Sequence, residues 1–112
     1  MIYETALVLR TDIDDATANS VKGILAEVLK EKSGEVLVND DWGVKSFPQT
    51  LGNGHKKGHY VYFMYKTDNN TVNHELERRL RINENVIRSL IVKLGTDKQQ
   101  DSIVKKYVTP RF

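Results

Sequence analysis

The chain contains no cysteine, which excludes disulfides and thiolate metal sites alike. It has no long hydrophobic run either. The apolar stretch Ile2 to Leu9 is too short to cross a bilayer, carries Glu4, and shows neither a basic leader nor a small-residue cleavage signal. A mature protein in reduced, cytoplasmic surroundings is therefore expected, with no membrane association. Strong charge of one sign is missing too: the formal net charge is +2, which alone says nothing about nucleic acid. Neither a phosphate-cradling P-loop nor a dinucleotide fingerprint is present, and no internal repeat is visible.

What is there fits an ordinary globular domain. At 112 residues there is room for one domain and one hydrophobic core. Charge is divided unevenly along the chain. Residues 1–51 carry five Lys/Arg against nine Asp/Glu, and residues 52–112 carry twelve against six. Folding can gather such an asymmetry onto one side and attract phosphates there, or mix it into an even surface.

Ile2 to Arg10, rich in β-branched and aliphatic residues, reads as a first strand. Asp12 is placed to cap a helix whose apolar face is Val21, Ile24, Leu25, Val28 and Leu29. That helix should end near Ser33-Gly34, with the glycine taking the left-handed conformation. Glu35 to Val38 begins a second strand, which can run on through Asp40-Asp41-Trp42-Gly43 to Phe47. Pro48 and Gly52-Asn53-Gly54 mark a turn or loop. Gly58 to Lys66 is the strongest strand. Asp68-Asn69-Asn70 caps a second helix with core positions Val72, Leu76 and Leu80, broken at Asn83-Glu84-Asn85. Val86 to Lys93 is the fourth strand. The order β-α-β-β-α-β is the ferredoxin-like split βαβ arrangement, an α+β fold. It predicts a four-stranded antiparallel sheet with both helices on one face and the first and third strands at its centre. Residues 1–94 form that domain, and residues 95–112 read as a basic C-terminal tail, partner-contacting or mobile.

Such a sheet has one face free of the two helices, yet its strands do not alternate cleanly between apolar and polar. Both parities of the first, third and fourth strands are largely apolar. An apolar patch on the helix-free face follows, and Ile2, Ala6, Val8, Leu90 and Val92 are the candidate partner-contacting residues. A partner protein, a second copy, or the tail folded across the face could cover it. Catalytic constellations are thin. His55 and His59 fall in a loop and strand start without a third ligand, His74 reads as a solvated surface residue, and neither metal nor cofactor is expected. The cations carry more. Lys45, Lys56 and Lys57 surround the entry to the third strand, Arg78, Arg79 and Arg81 crowd the end of the second helix, and Arg88 and Lys93 lie on the fourth strand. Glu75 and Glu77 can pair with Arg79 and Arg81 at i,i+4, which would account for part of that helix structurally.

These residues resemble a known family. Tyr3-Glu4, Asp41-Trp42-Gly43, Lys57-Gly58-His59-Tyr60 and above all the run Leu76 to Lys93 (LERRLRINENVIRSLIVK) are similar, in order and spacing, to the sixth protein of the bacterial small ribosomal subunit. The resemblance covers about residues 2–94. It implies a non-enzymatic structural protein that joins the central domain of small-subunit ribosomal RNA, paired with the eighteenth small-subunit protein. It also implies RNA contacts at Lys45, Lys56, Lys57, Arg88 and Lys93, together with Arg81. This chain departs from many members in having Ile2 before Tyr3-Glu4, and Val44-Lys45-Ser46-Phe47-Pro48 where a more basic stretch is common. Two rival readings share the topology: a free-standing RNA-recognition module and a small-molecule sensor. Tyr60 and Val61 break the former's third-strand motif, which wants a small residue and an aromatic at those places. No polar pocket motif supports the latter.

Overall fold

The apolar helical stripe read from Val21 to Leu29 folds as two consecutive segments, α1 (Asp15–Lys22) and α2 (Ile24–Lys32), on either side of Gly23. The hydrogen-bond ladder runs on through that glycine: its N–H donates to Asn19 O at 2.9 Å and its carbonyl accepts from Glu27 N at 3.1 Å. The N-cap is Asp14, whose Oδ1 accepts from Thr17 N at 2.8 Å. Asp12, expected in that role, is held instead by Arg10 at 2.7 and 3.0 Å. At the other end the left-handed residue is Ser33 (φ 73°), not Gly34. Gly34 serves a different need. A Cβ there would collide with Leu29 Cδ2 and lie 3.1 Å from the carbonyl of Lys66, so glycine permits the close approach of α2 to the sheet. The carbonyl of Ser33 accepts from Thr67 Oγ1 at 2.8 Å, which holds the turn.

The computed structural model describes residues 1–51 and 55–109, with side chains described for 1–46 and 56–109. The Gly52-Asn53-Gly54 turn and the last residues of the tail, Phe112 among them, lie outside the described residues. Besides α1 and α2, the elements are β1 (Ile2–Leu9), β2 (Glu35–Leu51), β3 (His55–Lys66), α3 (Thr71–Ile82), β4 (Val86–Gly95), a 3-10 turn over Asp97–Gln99, and α4 (Gln100–Lys106). Both hairpin strands are longer than the sequence suggests. Pairing between them jumps from Ser46–Lys57 to Leu51–His55, around Pro48, which has no N–H to donate and is tolerated because β2 is an edge strand.

The strand order is β2-β3-β1-β4, every neighbour antiparallel, with β1 and β3 central as expected. Leu7, Leu9, Val61, Phe63 and Tyr65 face the helices. They pack against Val21, Leu25, Val28 and Leu29 from α1–α2 and Val72, Leu76 and Leu80 from α3. The three α3 positions recur every four residues and are at most 1% exposed. The polar atoms admitted to this layer are satisfied. Tyr65 donates to Asn73 Oδ1 at 2.5 Å and accepts from Thr5 Oγ1 at 3.4 Å, and burial pushes its phenol up to about 12.

The C-terminal stretch is not a loose appendage. Thr96 and Gln99 form a reciprocal capping box that opens the 3-10 turn, and α4 follows directly. None of its described residues is fully buried, yet Ile103, Val104 and Tyr107 rest on the helix-free sheet face. Of the three possible covers for that face, the tail supplies one, over part of it.

Truncating Leu76 to alanine removes the centre of the α3 stripe. Urea denaturation should show a loss of about 2–5 kcal/mol with the fold retained.

Candidate RNA and protein interfaces

On the face away from α1–α3, residues stand in rows across β2, β3, β1 and β4. One row is Asp40, Tyr62, Ala6 and Leu90. On one side of it lies Val38, Met64, Glu4 and Val92, and on the other Gly43, Tyr60, Val8 and Arg88. The C-terminal segment divides this face. Under it, Ile2, Tyr62 and Met64 are 0%, 4% and 2% exposed, packed by Leu94, Ile103, Val104, Tyr107 and Trp42. Beyond it, Leu90 is 61% and Val92 37% exposed, with Ala6 and Val8 beside them on β1. Four of the five candidate partner-contacting residues thus form one strip. Ile2 is set apart from it, sealed beneath the C-terminal segment, because it sits at the end of β1 next to Gly95 and Lys66.

Aromatic and acidic side chains fasten the covered half. Tyr62 stacks with both Trp42 and Tyr107, with ring centroids 5.1 and 4.7 Å apart and planes within 17° and 13°. The Tyr62 hydroxyl donates to Glu4 Oε2 at 2.5 Å, and burial beside that carboxylate pushes the phenol far above its ordinary value. Tyr107 OH donates to Asp40 at 2.6 Å and accepts from Trp42 Nε1 at 2.9 Å, while Thr109 Oγ1 also donates to Asp40 at 2.6 Å. Those hydroxyl donors, Thr109 first and Tyr107 second, hold the Asp40 carboxyl below its ordinary range.

Asp41, next along β2, organises the opposite side of the sheet. It receives Gly43 N at 2.8 Å, Lys22 Nζ at 3.1 Å and His59 Nε2 at 2.7 Å. Burial works against its ionised form, but these donors prevail and keep the carboxyl low. Gly43, at φ 83°, supplies the left-handed kink that turns its N–H back to Asp41. His59 is thereby committed to a carboxylate linking α1, β2 and β3. The side chain of its sequence neighbour in the metal question, His55, lies outside those described. Among the described residues no group of three or more His, Asp or Glu could hold a metal ion.

Most of the predicted cations converge. β1 ends, β4 begins, α3 ends and the β2–β3 hairpin projects at the same end of the sheet. Lys45 lies opposite Gly58, Lys57 opposite Ser46, and Lys56 is exposed on the same hairpin. Arg88 is on the open face opposite Val8, and it shares with Arg81 a groove between α3 and β4 lined by Leu80, Val86 and Ser89. Lys93, opposite Tyr3, falls at the far end and on the other parity, so the fold does not gather it with the rest. The remaining α3 cations are engaged structurally. Arg79 spans Glu75 at 2.7 Å and Glu31 of α2 at 2.8 Å, Arg78 holds Glu75 at 2.7 Å, and Arg81 binds Glu77 at 2.5 Å. Both expected i,i+4 pairs are present. Lys56, Lys57, Arg88 and Lys93 enter no ion pair among the described residues.

Sequence reasoning missed Tyr107 and Asp40 as a tertiary contact, and Asp41 as a hub. The Thr96-x-x-Gln99 signature followed by Ile103, Val104 and Tyr107 was the available signal for the first. Nothing local in the sequence signals the second, since its side-chain partners His59 and Lys22 are 18 and 19 residues away.

The architecture is that of a ferredoxin-like split βαβ domain, with one face packed by helices, exposed apolar residues on the other and cations at one end. Residues 2–93 match the family model for ribosomal protein S6. The chain is 31% identical to the small ribosomal subunit protein bS6 of Rickettsia felis over 104 residues, covering 93% of this chain and 84% of that protein. Against bS6 of Rickettsia bellii the identity is 30%, with 93% and 85% covered. Among solved structures, the crystal structure of 30S ribosomal protein S6 from Thermotoga maritima superposes with a TM-score of 0.78 at 15% identity, covering 94% of this chain and 97% of that one, a match of fold. The chain belongs to the ribosomal protein S6 family, structural proteins of the small ribosomal subunit and not enzymes. No helix among the described residues is long and apolar enough to cross a membrane.

Glu75 offers a pH test of the α2–α3 connection. Arg78 and Arg79 hold its carboxyl down at about 2, from an ordinary 4.5. A carboxyl depressed on folding stabilises above its unfolded value and loses that contribution as pH falls through the folded one. Glu75→Gln should therefore flatten the pH dependence of stability between about 4.5 and about 2, read by thermal melts across that range. An unchanged slope would mean that Glu75 is not held by these arginines in solution.

Proposed function

We propose that this chain binds the central domain of small-subunit ribosomal RNA together with the eighteenth small-subunit protein, its apolar strip docking the protein and its cationic end meeting RNA phosphates. The observation that carries the reading is the juxtaposition on one sheet face of Ala6, Val8, Leu90 and Val92 with Arg88, in the same rows or the next. Leu90 and Val92 are 61% and 37% exposed side by side on one face of β4, and neighbouring exposed apolar residues of this kind mark a protein contact. Lysine and arginine at strand ends and loop tips suit phosphate, because long side chains reach backbone oxygens without needing a base-specific fit.

In the ribosomal RNA contact we include Lys45, Lys56, Lys57 and Arg88 as the converging set. Arg81 belongs at the margin of that set, since leaving Glu77 offsets part of what a phosphate contact would contribute. Lys93, at the other end of β4, stands apart from that set. Tyr62 argues against the rival RNA-recognition module. Such modules stack bases on exposed sheet aromatics, and here Tyr62 is 4% exposed and already stacked with Trp42 and Tyr107.

A gel-shift titration of a central-domain ribosomal RNA fragment, with and without the eighteenth protein, tests the assignment. Tight binding is expected only with both proteins present. A shift in neither condition would refute it. Arg88→Ala should weaken the ternary complex and lower the slope of log affinity against log salt by about one, with the melting temperature of the free domain preserved. Unchanged affinity and slope would remove Arg88 from the interface.

A further inference from the structure

The C-terminal segment and the strip beside it occupy two halves of one apolar surface, and their boundary is a short list of contacts. Ile2, Tyr62 and Met64 on the sheet are almost fully enclosed, but no residue of α4 is itself buried, so the segment lies on the face as a cover and adds no interior layer of its own. Asp97 at its start pairs with the Met1 ammonium at 2.5 Å, and its most extensive fastening is at Tyr107: the stack on Tyr62 at 4.7 Å, the hydroxyl donated to Asp40, and the indole N–H received from Trp42. Thr109 adds a second hydroxyl on the same Asp40 carboxylate, and Lys66 Nζ meets Gln100 Oε1 at 3.0 Å at the other end. All these side chains except Tyr62 retain access to water. By contrast, the domain beneath stands on the helix-packed core, to which α4 contributes nothing.

We propose that residues 97–109 are a displaceable cap, latched by Tyr107 on Asp40, Trp42 and Tyr62, which a protein partner docking on the strip pushes aside to claim the whole face. With the cap lifted, Ile2, Tyr62, Met64 and Leu94 join Ala6, Val8, Leu90 and Val92 on one face, around the Glu4–Tyr62 pair. The occupant is a protein presenting an apolar segment, because the residues the cap now encloses, Ile2, Tyr62, Met64 and Leu94, are apolar or aromatic and continue the strip of Leu90 and Val92. The closed cap lowers apparent affinity for that partner by the fraction of time it is open. The proposal rests on the protein-docking half of the function proposed above, and goes beyond it in making the chain's own C-terminal segment the competitor.

Native-state hydrogen exchange on the full chain tests the opening. Amides of Ile103 to Tyr107 should exchange at least about a hundredfold faster than those of β1 and β3, as a locally opening unit does. Equal rates would mean that the cap leaves only with global unfolding, and would overturn the proposal. Tyr107→Ala, which deletes the latch, and Asp40→Asn, which keeps its shape but weakens its acceptor, should each speed cap exchange about tenfold with β1 and β3 unaffected. Failure of both to do so would equally overturn it. Binding to the eighteenth small-subunit protein should then be about five- to tenfold tighter for Tyr107→Ala than for the wild type. Measurable but equal or weaker binding would overturn displacement alone, showing the cap to be a bystander or a part of the interface. No binding by wild type and variants alike would overturn the reading of the face as a partner site, and displacement with it.

Discussion

The two-sided burial of β1 is the constraint on which the rest of this structure depends. The strand is flanked by β3 and β4, so both sets of its backbone groups are paired, and apolar residues leave it on both faces. Leu7 and Leu9 call for the helix layer. Ile2, Ala6 and Val8 call for a cover on the other side, and two helices can supply only one layer. The second cover is divided: α4 and Tyr107 enclose Ile2, and Leu90 and Val92, beside Ala6 and the 9%-exposed Val8, stay open to a partner. A sheet with a polar outer face would need neither.

Much of the fold was legible because its determinants are local and periodic. Val72, Leu76 and Leu80 at four-residue spacing announce a one-faced helix, and the aromatic run from Tyr60 to Tyr65 announces a strand buried on both sides. The misplaced details are ones where a local preference met a tertiary demand. Asp12 has the right chemistry to cap, but Arg10 claims it and Asp14 does the capping. Gly34 has the right conformational freedom for a helix end, yet its missing side chain is needed for packing against Leu29, so Ser33 takes the positive φ.

The surface was legible in part for a similar reason. Charge is visible in sequence, but whether a cation is spent on a neighbour is decided by what folding brings near it. Glu75 stands three and four residues before Arg78 and Arg79, so their pairing could be read. That Arg79 also reaches Glu31 on α2 could not, and it removes Arg79 from the pool of cations open to RNA. The latch was legible only by half: Thr96-x-x-Gln99 with Ile103, Val104 and Tyr107 signals a packed C-terminal turn, but Asp40, 67 residues from Tyr107, is named by nothing beside it.

The pairing of β1 with β4 also sets a timetable. Translation delivers β1 first and its two neighbours late, since β3 begins at His55 and β4 at Val86. At bacterial elongation speeds of about 5–20 residues per second, the interval between Leu9 and Val86 lasts about 4–15 s. Until β3 is complete at Lys66, about 3–11 s after Leu9, β1 has neither sheet partner. From then until β4 is made β3 alone pairs it, and the edge that β4 will close is an apolar strand with unpaired backbone groups, of the kind that invites pairing with another chain.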